Sequence, residues 1–479
     1  MIRHSGVGSA TVTALMVAAV VLGPVPFGAV QPTPRALLQA IAFVALAIVL
    51  MDRNRQPGDI ADVRWPVAAL GAIGLWGFLQ SLPWPEAVIR GLAPRLATAW
   101  NEAAALLAEA APPASVSVAP AVSRQYARHW RAAAAALAAA CSQGKERASR
   151  RVVFLGLLVA AVGQILYGTQ TLGTANAAIL GVEVPGTPGR LRGTFVNPDH
   201  FVFFLVIVLT CVSAWLWWSV RKALNQTKSS LDRRLVLPVI PLTLFVVLFA
   251  GIAWSGSRAG ILVAVASVLV QGTLLSIHYR RWQLGASTFG LVLLGFGGIA
   301  FFGWRRGLER WLETSAYEVA TNARLDAWAA TFDLWLHAPL TGFGLGTFRQ
   351  SLPLVQPVTM DGVWHHAHSD VLELLATAGL IAAALAVAGL VALYRCLWRV
   401  LRRGRRSEDR AAGLAGLGAL SAGLLHSLVD FPIAMPANAF ALLIVCGLAG
   451  GCGLVEPKQR RVRTTPKLSE VLATPETAP

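Results

Sequence analysis

Twelve apolar runs of about membrane length divide this chain, and short basic connectors join alternate pairs of them. The runs fall near 9–29, 36–51, 65–82, 124–142, 152–168, 200–220, 235–254, 259–277, 284–303, 369–394, 411–427 and 434–453. A helix needs roughly 20 mostly apolar residues to cross a bilayer. Inside hydrocarbon every backbone polar group must be satisfied within the segment, so runs of this length become helices. The expected fold class is an all-α polytopic membrane protein with about 12 transmembrane helices and a long extracytoplasmic loop that itself contains helices. Composition agrees, with 55% hydrophobic and only 14% charged residues over 479 positions. Soluble globular domains carry far more charge.

The charges set an orientation. Basic residues gather around Arg3 and at 53–64, 145–151, 221–234, 280–281, 395–410 and 458–467. The loops between these clusters are longer and sparser in charge. The positive-inside rule then puts the clusters and both termini in the cytoplasm. The formal charge of +17 could suggest nucleic acid, but the basic residues sit in connectors and form no face with interleaved aromatics. Nucleic acid is therefore not an expected partner, whereas membrane lipids are. Five cysteines lie in or beside apolar runs with no CxxC pair, so neither a disulfide nor a metal is expected from them. Arg3 and His4 precede an apolar stretch that runs on to about Val30, which reads as a first span rather than a signal peptide.

Three regions follow. Residues 1–168 carry the first five spans and an outer loop at 83–123, whose segment EAVIRGLAPRLATAWNEAAALLAEA reads as an amphipathic helix lying on the membrane surface. Residues 169–453 carry the remaining seven spans and the outer loop 304–368, which opens with WRRGLERW. Residues 454–479 are rich in Pro, Thr and Lys and read as a disordered cytoplasmic tail. The fourth span is the least apolar. Its Arg124, Arg128 and Arg131 share one helical face, placed either to snorkel at the outer interface or to line an anionic site.

Polar residues with chemical potential concentrate at the outer ends of the spans, above all between Asn322 and Leu380. That stretch holds four of the nine histidines and the Gly-rich turn GFGLG after Pro339. His368, entering span ten in AHSD, has an imidazole suited to take a proton near neutral pH, with Asp370 or a backbone group to fix its tautomer. Competing roles are a structural histidine, or a metal site with His365 and His366. H-H-x-H is not a recognised ligand spacing, and no Glu lies at helical distance upstream. Arg258 in SGSRAG, flanked by small residues, and Arg324, at the start of an amphipathic helix, offer planar forks for phosphate oxygens or serve as interfacial charges. Trp328, Phe332 and Trp335 read as the apolar stripe of that helix, for packing rather than sugar stacking. Asn197, Asp199 and His200 in FVNPDHF either cap span six or touch substrate. His426 and Asp430 in HSLVDFP read as a structural pair.

Taken in order, GTFVNPDHF, SGSRAG, RLDAW…HAPLTGFGLGTF, AHSDVLELLATAGL and HSLVDFPIAMPANAF resemble the O-antigen ligase/O-antigen polymerase family of bacterial inner-membrane glycan transferases. The likeness covers roughly residues 190–445. It implies a metal-independent, inverting membrane glycosyltransferase that needs no cofactor. The donor would be a glycan on a polyprenyl diphosphate, and the acceptor a hydroxyl of a glycan or of lipid A-core at the periplasmic face. By position, His368 matches the family's loop histidine, the general base, and Arg258 and Arg324 match the arginines that hold the diphosphate. Asn197, His200 and Asp370 are further expected substrate contacts. Two departures stand out. Ser369 follows the histidine where the family usually has Asn, and Asp199 replaces the second Asn of N-x-N-H-F.

Ligase and polymerase share this chemistry and differ in acceptor, which nothing in the sequence reads. An O-linked protein glycosyltransferase would be expected to add acceptor-binding regions that are not seen. A polysaccharide transporter is the alternative of another class. Transporters place ionisable groups near mid-membrane and repeat their halves, whereas here the suspect residues cluster at one face with no repeat.

Overall fold

The computed structural model describes residues 7–52, 61–107, 115–172, 178–184, 189–225, 231–301 and 323–453. The WRRGLERW opening of the long loop and the tail 454–479 lie outside the described residues. The chain begins with α1 (Val7–Leu22), α2 (Pro32–Met51) and α3 (Arg64–Gln80), followed by two short helices, α4 (Glu86–Leu92) and α5 (Pro94–Leu107). Then come α6 (Pro120–Gln143) and α7 (Arg147–Thr171), and a small antiparallel hairpin, β1 (Ala178–Ile179) with β2 (Val182–Glu183). The hairpin leads to α8 (Pro198–Asn225), α9 (Leu231–Trp254), α10 (Arg258–Tyr279) and α11 (Gln283–Phe301). After the long connection follow α12 (Ala323–Leu336), the single turn α13 (Phe348–Ser351), α14 (Asp370–Arg403), α15 (Ser407–Ser427) and α16 (Pro436–Gly450).

Each of the twelve expected apolar runs coincides with one of these helices. Six of them, α2, α7, α8, α9, α10 and α14, contain stretches long and apolar enough to cross a membrane, and α1, α11 and α16 contain shorter apolar stretches. The centre is α8, whose residues from Phe201 to Leu209 are inaccessible on every face. A helix that is apolar all round has no solvent side to present, so it takes the middle of the bundle. The Ala-rich half of α6, from Ala132 to Gln143, is equally buried. Its small side chains allow close approach: a Cβ on Gly447 of α16 would stand 2.6 Å from the Cβ of Ala140. Arg124, Arg128 and Arg131 lie on the exposed side of the first turns of α6.

The long loop is held by a break in α14. Gly379 has φ 69° and ψ −172°, a region essentially restricted to glycine. The break leaves carbonyls of the preceding turn without helical donors, and the GFGLG turn supplies them. Phe343 N donates to Ala376 O at 3.1 Å, Gly344 N donates to Thr377 O at 2.8 Å, and in return Leu380 N donates to Pro339 O at 2.9 Å. Gln80 of α3 completes the clamp, donating to Thr341 O at 2.7 Å while its own oxygen accepts from Leu345 N at 3.0 Å. The part of α14 beyond the break, 380–403, is about 36 Å long at 1.5 Å per residue, which is ample for one crossing. Residues 370–378 therefore form a separate segment of α14 before the break.

Two expectations change here. The segment expected to lie on the membrane surface instead folds as α4 and α5 and buries Ile89, Ala93 and Leu96 with Leu334, Ala338 and Phe343. Its apolar face has a protein partner, the long loop. On α12 the buried stripe is Ala327, Ala330, Thr331 and Leu334, and Phe332 is exposed. Small residues face inward because α12 lies close against α14, which turns the larger aromatics toward the flanks.

Candidate active site

At one end of the bundle α8, α10, α12, α14, α15 and α16 are tied together by polar contacts between the segments that carry the sequence motifs. Before α8, Thr194 N donates to Gln164 Oε1 at 2.7 Å and its hydroxyl donates to Pro24 O at 2.8 Å, which anchors the approach to the helix. Asn197 then accepts from Asp199 N through its side chain at 2.8 Å, turning the chain into the first turn of α8. Asp199 is an ion-pair hub. Its two oxygens take Arg190 at 2.9 Å and Arg324 at 3.2 Å. Arg190 also donates through Nε to Ser255 O at 2.6 Å, which joins the GRLRG segment to the SGSRAG turn. Ser257 caps α10 by accepting from Gly260 N at 3.0 Å, and Arg258 is the first residue of that helix. Gly260 is needed because a Cβ there would come within 2.2 Å of Val202 on α8.

Arg324 and His368 are brought together through α12. Trp328, one turn beyond Arg324, donates through its indole N–H to His368 O at 3.0 Å, and residues four apart share a helical face. His368 has φ 52°, a left-handed conformation that costs a non-glycine residue free energy. Such strain persists only where surrounding contacts over-determine it, and it clusters at functional sites. The contacts here are the Trp328 bond and a 3.3 Å approach of His368 Nδ1 to Asp430 Oδ1. A carboxylate can only accept, so Nδ1 carries a proton in that contact, and in the neutral tautomer it selects Nε2 holds the lone pair.

Asp430 lies in the turn between α15 and α16, with its side chain 1% exposed. Burial alone would raise its pKa. The hydrogen bond from His368 and the charges of His200, Arg324 and His426 outweigh that and hold the carboxyl well below the usual carboxylate range. It therefore remains ionised behind the imidazole. Phe431, the next residue, is surrounded by three imidazoles: His366 stacks on it at 4.2 Å, and His200 and His368 meet it edge-on at 4.6 and 5.0 Å.

His366 is held by Glu373, with Nδ1 3.1 Å from the carboxylate, which also accepts from Ala367 N at 3.0 Å. Burial pulls the His366 pKa down, but the Glu373 charge and hydrogen bond prevail, so its imidazole titrates above its ordinary value. Asp370 is turned inward, accepting from the Ser427 hydroxyl at 2.8 Å and from Ile433 N at 3.1 Å. Ser369, where the resembled family usually has Asn, caps α14 by accepting from Leu372 N at 3.4 Å. His200 is 3% exposed, and its backbone carbonyl accepts from Asn438 Nδ2 at 3.0 Å.

Several buried polar atoms here have no hydrogen-bond partner among the described residues: His200 Nε2, both ring nitrogens of His426, Asp430 Oδ2 and Asn438 Oδ1. Proteins leave few such groups, because each costs free energy, and their gathering at one place marks a site kept for reasons other than stability. Among the described residues no group of three His, Cys, Asp or Glu converges to hold a metal ion.

Six residues selected from the sequence lie on segments at one end of the bundle. Arg324, His368, His200 and Asp370 fall within one contact network, Asn197 shapes the turn that enters it, and Arg258 sits three residues beyond the carbonyl that binds Arg190. Sequence reasoning missed the Asp430 contact to His368, the Arg190–Asp199 pair, Glu373 as partner of His366, and Phe431. The sequence pairs Asp430 with His426, its neighbour one turn earlier; that AHSD and HSLVDFP both lie at span ends is the available signal for the pairing across segments.

Residues 243–387 match the O-antigen ligase family model. No curated protein matches the chain. The matched stretch contains Arg258, Arg324, His368 and Asp370, and it stops short of the α8 mouth and of Asp430.

Proposed function

We propose, on the premise of that O-antigen ligase match, that the protein is a membrane glycosyltransferase of lipopolysaccharide biosynthesis with about twelve crossing helices and its site at the periplasmic face. It moves a glycan from a polyprenyl-diphosphate carrier to an acceptor hydroxyl. The observation that carries the assignment is the His368–Asp430 contact, on a histidine whose carbonyl is held by Trp328, one turn of α12 from Arg324. His368 Nε2 takes the acceptor proton as the hydroxyl oxygen attacks the anomeric carbon. The new glycosidic bond forms on the face opposite the leaving group, so the centre inverts. The bond from that carbon to the diphosphate oxygen breaks, and polyprenyl diphosphate leaves with the electron pair. Arg258 and Arg324 offset the charge that develops there. Asp430 is a positioning residue that fixes the His368 tautomer and stabilises the imidazolium once the proton has moved. Asp199 holds Arg324 oriented, and Asn197, His200 and Asp370 frame the mouth. Anchoring the donor in the membrane makes the encounter an oriented one.

The acceptor separates ligase from polymerase, and the ligase reading is preferred because the match is to ligases. The test is a strain lacking the protein, complemented with wild type or with His368→Ala. Accumulation of long glycan on the lipid carrier supports the ligase. Accumulation of single repeat units with loss of polymer supports the polymerase. If neither species changes, the transferase reading fails. Intact lipid-linked glycan moved without release of carrier diphosphate would favour a transporter.

A further inference from the structure

A cavity of about 490 Å³ opens between α7, α8, α15 and α16, at the end of the bundle opposite the site just described. Three of these helices, α8, α15 and α16, line both places. On α8 the cavity takes Cys211 to Trp218 while the site takes His200. On α15 it takes Glu408 to Ala415 while the site takes His426, and on α16 it takes Val445 to Ala449 while the site takes Asn438. Fifteen residues of α8 separate His200 from Trp215, about 22 Å along the axis. The cavity is therefore not part of the glycan site.

Its walls have the polarity of a lipid. The depth is apolar, with Phe154 and Trp215 meeting edge to face at 5.6 Å and Ala411 and Ala415 leaving the space between them. The rim is cationic. Arg147, Arg150 and Arg151 line it together with a single carboxylate, Glu408. Arg150 is committed to Asp409 at 2.7 Å. Arg147 and Arg151 share Glu408 at 3.2 and 2.8 Å, and their side chains remain 42% and 68% exposed. Two guanidiniums on one carboxylate leave a net positive charge at the rim, with most of ten N–H donors still available to an anion. Lys222 adds charge over Trp218, whose indole N–H donates to Ser407 at 3.1 Å. Aromatic side chains with a polar tip are characteristic of the headgroup level of a membrane.

We infer that this cavity is a binding site for one anionic phospholipid, with its phosphate on Arg147 and Arg151 and an acyl chain in the slot beside Trp215. The occupant follows from charge complementarity and from position: the mouth lies at the end that the basic connectors mark as cytoplasmic, where anionic headgroups attract arginine. A neutral phospholipid would fill the slot but leave the rim charge unmatched.

The test uses the full-length protein purified from bilayers of phosphatidylcholine mixed with phosphatidylglycerol, with retained lipids counted by mass spectrometry. Wild type should retain phosphatidylglycerol in preference to phosphatidylcholine. The preference should fall about fivefold for each arginine removed in Arg151→Gln and in Arg147→Gln with Arg151→Gln. Ala415→Phe, which fills the slot, should reduce retention of both lipids. Arg151 is mostly exposed, so its single variant is read without risk to folding, and unchanged melting in lipid-free detergent confirms this. Equal retention of the two lipids by wild type, or an undiminished preference in the double variant, would overturn the inference. No glycan enters the measurement, so its outcome is independent of the transferase reading.

Discussion

Asp430→Asn isolates the positioning role from the fold. The backbone bond from Asp370 N to Asp430 O, 3.1 Å, does not involve the side chain, and Asn is nearly isosteric, so the turn between α15 and α16 should persist. What changes is the partner of His368 Nδ1 at 3.3 Å. A hydrogen bond to a charged group is worth about twice a neutral one, a difference of about 1.4 kcal/mol, or about tenfold in rate when the bond strengthens in the transition state. That is the minimum loss. Asn can also offer its NH₂ to Nδ1, which turns the lone pair away from the acceptor, and loss of the carboxylate behind a catalytic imidazole reaches about 10⁴-fold. We predict a fall in kcat between these bounds with KM for the lipid-linked donor little changed, and partial recovery in Asp430→Glu. The assay is the initial rate of polyprenyl-diphosphate release in proteoliposomes. A kcat within about twofold of wild type, in a protein whose His368→Ala variant is inactive, would show that Asp430 does not act through His368.

Two further outcomes follow from the packing. Gly379→Ala places a Cβ 2.2 Å from Leu340 O in a backbone region open only to glycine, so stability should fall by about 3 kcal/mol or more, and an unchanged melting temperature would refute the role given to the break in α14. The His366–Glu373 pair predicts a pH dependence. Because the folded-state pKa of His366 is raised above its ordinary 6.5, its contribution is fully present below that value and is lost as pH rises through the raised one. Melting should therefore decline as pH rises above the ordinary imidazole value, and Glu373→Gln should flatten that decline; an equal slope in the variant would refute the pairing.

The helices were readable from the sequence because membrane length, apolarity and charged connectors are local properties. The outer region was harder, for reasons visible in particular residues. Phe332 looked like a packing residue by its spacing from Trp328, yet α12 turns alanines inward because its neighbour is close, and helix proximity is not written in a periodicity. Residues 83–107 had the composition of a surface helix, but amphipathicity states only that a face needs covering, and here Leu334 and Phe343 cover it. Asp430 was read with His426 because the two are a turn apart. Its contact with His368, 62 residues away, depends on two helix mouths meeting, which only the tertiary structure brings about. His368, Arg258 and Arg324 stood out early because arginines among glycines and a histidine at a helix entrance have weak local structural reasons to be there.

The most direct measurement of the central claim is single-turnover transfer by His368→Ala in proteoliposomes loaded with lipid-linked glycan and acceptor, with the variant's folding confirmed by its melting temperature. The account predicts that glycan transfer and polyprenyl-diphosphate release fall together by about 100-fold or more, the contribution expected of a general base. Transfer within about tenfold of wild type would mean that another group takes the proton, and the assignment of this site would be wrong.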